Sequence, residues 1–287
     1  MSRNEKKPGR TTRAEGCALF QYRLSSDLLT VILCSRGGAL ETLAIDIGNT
    51  RASWACFKGS AITSRGQLES FDGIGSVDLS WGDIETIGIG SVDPDACRRL
   101  LAVLESVTGI VPIQMTNGAE VPIPILLPDP ASVGTDRALN ALAWSRREPG
   151  RGAVILDAGT ALTVDAVSNA GEFLGGWIAP GLDLSARALA TGTALLPTAE
   201  RSVAEGPWGT DTSSATSGGI AILLAGGARA LRDRVLGGLD ADVATVVTGG
   251  DGDRISSLLG PEVLHLPHLT LEGIALGAHE RQGGVGD

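Results

Sequence analysis

LAIDIGNTRASWACFKG, residues 43–59, and AVILDAGTALTVDAVSNAGEFLGG, residues 153–176, read as one device written twice. Each is an apolar strand that runs into a D-x-G turn and leaves it as a second, alternating strand; the later copy continues through an Asn169–Gly171 turn into a third strand. Asp46 and Asp157 hold equivalent places at the strand ends. The two halves also close alike. TIGIGSVDPDACRRLLAVL (86–104) and ATVVTGGDGDRISSLL (244–259) each read as strand, small-residue turn and helix, with Asp93 suited to the N-cap and Pro94 to the first helical position of the earlier helix. The pattern predicts an α/β fold of two duplicated lobes, 43–150 and 151–287, with a cleft between them.

The paired turns suit phosphate. A glycine two residues after the aspartate lets the backbone turn sharply and point N–H groups at an anion. The carboxylate at the strand end can hold a hydrated cation that bridges phosphate oxygens. One such turn is ordinary Asx-x-Gly chemistry. Two copies, each ending an apolar strand and each opening a hairpin, point to nucleotide phosphates.

Composition narrows the classes. The chain has 287 residues, 43% hydrophobic and 20% charged, which describes a globular protein with a real core. No apolar run approaches the roughly 18 residues needed to cross a bilayer. With 33 acidic and 23 basic residues the net charge is −10, which argues against nucleic-acid or anionic-membrane partners. An anionic substrate must therefore be met by backbone amides, a metal ion or a few placed arginines. Lys58 is the only lysine beyond residue 42, so neither a P-loop nor a Schiff-base enzyme fits, and no G-x-S-x-G nucleophile elbow appears. Gly88-Ile89-Gly90 lacks the third Rossmann glycine, and His265, His268 and His279 read as surface or packing residues. Cys17, Cys34, Cys56 and Cys97 form no C-x-x-C pair and read as reduced thiols of a cytoplasmic protein. Residues 1–42, with seven basic and four acidic side chains, read as an N-terminal appendage expected to be poorly ordered. A start of translation near Leu43 is an alternative, but the only methionines are Met1 and Met115, so it would need a non-standard initiation codon.

Between the halves lies PDPASVGTDRALNALAWSRR, residues 128–147. A turn-rich approach leads into an amphipathic helix over 136–147 whose Ala138, Leu139, Leu142 and Ala143 can face a core. Asp136 and Arg137 then occupy its first turn, open at one end. Taken alone, Asp136 reads there as a residue that complements the helix dipole.

Together, Asp46-Ile47-Gly48-Asn49-Thr50, Gly134-Thr135-Asp136-Arg137 and Asp157-Ala158-Gly159-Thr160-Ala161 resemble the successive motifs of type III pantothenate kinases. Gly175–Gly181, Thr193–Pro197, Gly209–Thr212 with Ser217-Gly218, and Thr248–Gly250 are similar to that family in the same order. The resemblance implies the actin-like ATPase superfold, shared with acetate and sugar kinases and the heat-shock chaperone ATPases, with ATP between two α/β lobes. It implies transfer of the ATP γ-phosphate to pantothenate, the first step toward coenzyme A, with Mg²⁺ and a monovalent cation, K⁺ or NH₄⁺. By position, Asp46, Ile47, Gly48, Asn49, Thr50, Arg51, Ala52 and Ser53 would form the phosphate loop and Thr160 would contact ATP. Asp157 would hold the monovalent cation. Gly134, Thr135, Asp136, Arg137 and Thr212 would contact pantothenate, with Asp136 as the proton acceptor. The resemblance also implies a homodimer whose interface helps build the pantothenate pocket, the glycines of 175–181 allowing close packing.

Two departures stand out. Residues 1–42 have no counterpart in the motifs. The family commonly has a tyrosine three residues before the proline of P-x-x-[LV]-G-x-D-R; here that proline is Pro130 and the position holds Leu127. Leucine cannot supply the phenol's hydrogen bond, which motivates a second reading, a kinase of the same superfold acting on another small metabolite. A non-catalytic nucleotide-binding regulator is a third, opposed by the joint presence of Asp46, Asp136 and Asp157.

Overall fold

The computed structural model describes residues 17–24, 27–34, 41–48, 52–68, 83–91, 97–98, 100–101, 104–105, 108–196, 198, 206–239 and 242–283. Asn49, Thr50, Arg51, Asp93, Pro94 and Pro197, all named above, lie outside the described residues. Within 1–42, β1 (Cys17–Leu24) and β2 (Asp27–Cys34) pair as an antiparallel hairpin.

Two five-stranded sheets follow, and they share one topology. The first contains β3 (Glu41–Ile47), β4 (Ala52–Lys58), β5 (Ala61–Leu68), β6 (Ile84–Ser91) and β7 (Ile113–Met115), ordered β5-β4-β3-β6-β7. The second contains β8 (Gly152–Ala158), β9 (Ala161–Val167), β10 (Phe173–Pro180), β11 (Val243–Thr248) and β12 (Leu264–His265), ordered β10-β9-β8-β11-β12. In each, a central strand pairs antiparallel with the hairpin strand that follows the D-x-G turn and parallel with a later strand. This is the expected duplicated α/β fold.

Alternation along the strands sorts side chains onto two faces. Leu43, Ile45 and Ile47 of β3 face an outer core with the helical residues Cys97, Leu100 and Leu104. Val154, Leu156 and Ala158 of β8 face a second outer core beneath α3 (Thr212–Leu236), against which α2 (Leu182–Gly192) packs, and α4 (Gly252–Leu259). The opposite faces meet in one inner core: Ala44, Ala55 and Phe57 from the first sheet, Ala153, Ile155, Val167 and Val246 from the second.

Between those inner faces lie α1 (Thr135–Arg147) and α5 (Leu269–Gly283). Sequence periodicity suggests one apolar face for α1, yet Asn140, Ala141, Trp144 and Ser145 are buried as well as the four predicted residues. The helix is enclosed on all sides by two sheets and α5, so little of it keeps a solvent face. The Trp144 indole N–H is satisfied by the Arg151 carbonyl at 2.9 Å. The C-terminal helix α5 packs on the first sheet although it follows the second in sequence: Ile274 and Ala278 sit against Gly88, and a Cβ on Gly273 would collide with the Leu139 backbone of α1. Among the described residues, no helix is long and apolar enough to cross a membrane.

Candidate active site

The inner core turns polar at one end, where β3 and β8 finish. Asp46 continues the inner face of β3, opposite Ser53 of β4 and Gly90 of β6. Asp157 does the same on β8, opposite Thr163 of β9 and Thr248 of β11. Duplicated sheets thus bring two equivalent aspartates to the same end of the layer between them. The first turn of α1 adds Asp136 beside both: its charge acts on each of the other two carboxyls.

Crowding and burial set the protonation of this group. Burial, followed by the negative charges of Asp136 and Asp157, pushes the Asp46 carboxyl up to about 7. Burial, followed by Asp136, pushes Asp157 up to about 7 as well, against a stabilising hydrogen bond from Asn140. That bond runs from Asn140 Nδ2 to Asp157 Oδ2 at 2.9 Å, and Thr270 of α5 donates to Asn140 Oδ1 at 2.9 Å. A relay of side chains therefore orients Asp157 from both buried helices.

The other oxygen, Asp157 Oδ1, borders a small backbone space. Gly249 has φ +90, and a Cβ there would land on Asp157 Oδ1 and the Ala158 carbonyl. Thr248 Oγ1, on the same face of the sheet, is buried without a hydrogen-bond partner. This all-oxygen surround suits a hard cation. Among the described residues no three His, Cys, Asp or Glu side chains converge on one metal position. A divalent ion here would therefore lean on one or two carboxylates, water and phosphate oxygens, as Mg²⁺ usually does.

Asp136 uses one oxygen locally: Oδ1 accepts the Arg137 backbone N–H at 2.8 Å, which fits the helix-start reading. Its Oδ2 accepts nothing from a described residue. Thr135 is buried, and its hydroxyl is also unpartnered. Arg137 is engaged. Its Nε donates to Asp165 Oδ1 at 2.9 Å and to Oδ2 at 3.2 Å, and its Nη2 also donates to Oδ1. The guanidinium lies over the Phe173 ring, 5.3 Å from its centroid. Asp165 was not anticipated from sequence, nor were Asn140 and Thr270; Thr248 stood in a matched motif without an assigned role. The available signal for Asp165 was an acidic residue in the inward register of β9, two positions from Thr163 and Val167.

The remaining expected residues divide. Thr160 sits in the β8–β9 turn, next to the same end, and its carbonyl accepts from Gly181 N at 3.0 Å. Gly134 is the N-cap of α1. Ile47 and Ala52 bury their side chains in the outer core, so only their backbone can serve a phosphate. Thr212 is not brought to the site. It is the exposed first residue of α3, which packs on the outer face of the second sheet, whereas Asp136 and Arg137 lie on the inner face. Its Asp211 neighbour forms a capping box with Ser214. Thr212 lines a separate groove of about 640 Å³ with Leu189, Asp211, Thr216 and Leu223. Gly176 and Gly181, from the run expected to permit close subunit packing, make close approaches inside the chain instead, to Asp165 and to the Gly159–Thr160 backbone. Leu127 is half-buried against the inner core and lies beside Gly175.

Comparison with known proteins agrees with this geometry. Residues 42–234 match the family model described as type III pantothenate kinase. The type III pantothenate kinase of Parafrankia sp. is 30% identical over 243 residues, covering 82% of this chain and 96% of that protein. That of Halorhodospira halophila is 34% identical over 245 residues, covering 81% and 95%. A Campylobacter jejuni crystal structure described as a conserved Baf family transcriptional activator superposes with a TM-score of 0.52 at 19% identity, covering 85% of this chain and 100% of that one, and shows the same fold.

The raised carboxyls give a stability signature. Between the ordinary carboxylate range and about 7, the folded protein binds more protons at Asp46 and Asp157 than the unfolded chain does. Their stabilising contribution is complete at low pH and is lost as pH rises through about 7. The melting temperature of nucleotide-free protein, at low cation concentration, should therefore fall between about pH 5 and pH 8, and Asp157→Asn should flatten the slope. A melting temperature that climbs across this window contradicts the cluster.

Proposed function

We propose a division of labour for the site of this chain, which belongs to the type III pantothenate kinase family. The protein phosphorylates pantothenate to 4'-phosphopantothenate with ATP and a divalent metal, the first step of coenzyme A synthesis. The residue roles that follow rest on one observation, the convergence of Asp46, Asp136 and Asp157 from two sheets and a buried helix.

Phosphoryl transfer needs alignment and charge neutralisation more than covalent help. Magnesium-bound ATP supplies the phosphoryl group and part of that neutralisation. Asp46 and the turn through Ser53 hold the phosphates by backbone N–H groups and a hydrated cation, and Thr160 contacts ATP from the matching turn. Asp136 Oδ2 accepts the pantothenate hydroxyl proton. A carboxylate is a weak base, but in a loose transition state the hydroxyl loses its proton late, so a base within hydrogen-bond reach suffices. Gly134, Thr135 and Arg137 hold the rest of pantothenate, with Arg137 meeting its carboxylate.

Asp157 Oδ1, the Ala158 carbonyl and Thr248 Oγ1 suit a monovalent cation, K⁺ or NH₄⁺. In a chain of net charge −10 with no lysine at the site among the described residues, such an ion would offset phosphate and aspartate charge together. Thr212 acts in trans. Its place on the outer face, in a groove shared with Leu223, and the exposure of Trp208, Ile222 and Leu223 favour a homodimer in which Thr212 of one copy completes the pocket of the other. We place the enzyme in the cytoplasm, where ATP is available and a buried reduced thiol such as that of Cys56 persists, which cell fractionation can check.

Asp136→Asn should lower kcat by roughly 10²–10⁴ with folding intact; near-normal turnover would return Asp136 to a helix-start role alone. Activity should require K⁺ or NH₄⁺, and equal rates in Na⁺ with ammonium excluded would remove the monovalent ion from Asp157. Light scattering on active protein should report twice the 29.3 kDa chain mass. An active, strictly monomeric enzyme would defeat the role of Thr212 in trans.

A further inference from the structure

An arginine guanidinium has two edges that can each meet a carboxylate with a pair of N–H groups: the Nε/Nη2 edge and the Nη1/Nη2 edge. In this protein the first is taken. Asp165 receives Nε at 2.9 and 3.2 Å and Nη2 in addition. Asp165 is itself fixed, by Thr163 Oγ1 donating to Oδ2 at 3.1 Å and by the close approach of Gly176. Phe173 supports one face of the guanidinium. On the second edge Nη1 donates to no described residue, and Arg137 keeps 12% of its side chain exposed while Asp165 keeps 2%.

We propose that Asp165 is the positioning residue for substrate carboxylate recognition: it clamps one edge of Arg137 so that the other edge is presented, pre-oriented, to the carboxylate of pantothenate. The inference rests on the assignment of Arg137 to that carboxylate and deepens it. A buried ion pair contributes little net stability over an apolar replacement of similar size, so stability alone gives weak reason for this one. As a clamp it has a clear use. A free arginine side chain must lose rotamer freedom when it binds, and fixing it beforehand removes that cost from the binding step.

The test is steady-state kinetics on full-length Arg137→Ala, Asp165→Asn and the double variant, with folding checked by circular dichroism. Asp165→Asn keeps the volume and one acceptor oxygen but loses the charge. It should raise KM for pantothenate by roughly 10- to 100-fold, as misplacement of a binding group does, and leave KM for ATP and kcat within about two-fold, the signature of lost uniform binding. The double variant should be no worse than Arg137→Ala alone, because Asp165 acts only through Arg137. A purely structural pair would instead disturb both substrates and add to the arginine loss. If Arg137→Ala raises KM for pantothenate but Asp165→Asn does not, the clamp is overturned and the carboxylate assignment stands. If Arg137→Ala leaves that KM unchanged, the assignment itself fails and the clamp with it. Should Asp165→Asn not fold, Thr163→Val, which removes only the hydroxyl on Asp165 Oδ2, is read in the same way: a several-fold rise in the pantothenate KM alone supports the clamp, and none overturns it.

Discussion

Carboxylates that share a low-dielectric space repel one another, and this structure gathers them deliberately. Asp46, Asp136 and Asp157 meet at one end of the layer between two sheets, and one edge of the Arg137 guanidinium is taken by a fourth aspartate, Asp165. Burial first, and that repulsion second, hold Asp46 and Asp157 at about 7. Such a group is stable only when protonated or when cations share the space. On the proposed assignment, the cations that accompany two anionic substrates would offset that repulsion.

The fold exists to create that meeting point. Each sheet ends its central strand in an aspartate on the inner face, and duplication makes the two faces look at each other across α1 and α5. Small residues on α5 bring it close to both α1 and the first sheet, so the apolar part of the layer is tight and the polar part is confined to its end. Asn140 and Thr270, one from each buried helix, carry the apolar layer's rigidity into the orientation of Asp157.

Much of this was legible in the chain. The two D-x-G turns, their apolar strands and the G-T-D-R segment announced the duplicated lobes and the three central aspartates, because strand alternation and turn chemistry are local. What stayed hidden depended on the third dimension. Asp165 reads as one more polar position in an alternating strand until β9 is placed with its inward face toward Arg137. The all-round burial of α1 follows from its being sandwiched, and its apolar face alone suggested a surface helix. Thr212 matched a motif, yet motif order carries no information about which side of a sheet a helix covers. The glycines of 175–181 pointed to close packing, but Gly176 and Gly181 make theirs within the chain.

The central claim is that the reaction takes place at the acidic end of the inner layer, on the hydroxyl that Asp136 can reach. A crystal structure of the full chain with pantothenate, Mg²⁺ and a non-hydrolysable ATP analogue tests it most directly. The account predicts the pantothenate hydroxyl oxygen within about 2.6–3.2 Å of Asp136 Oδ2, hydrogen-bond reach for a general base, with the phosphates between the Asp46 and Asp157 turns. Pantothenate seated elsewhere, for instance in the groove beside Leu189 and Leu223 with Asp136 left bare, would contradict it.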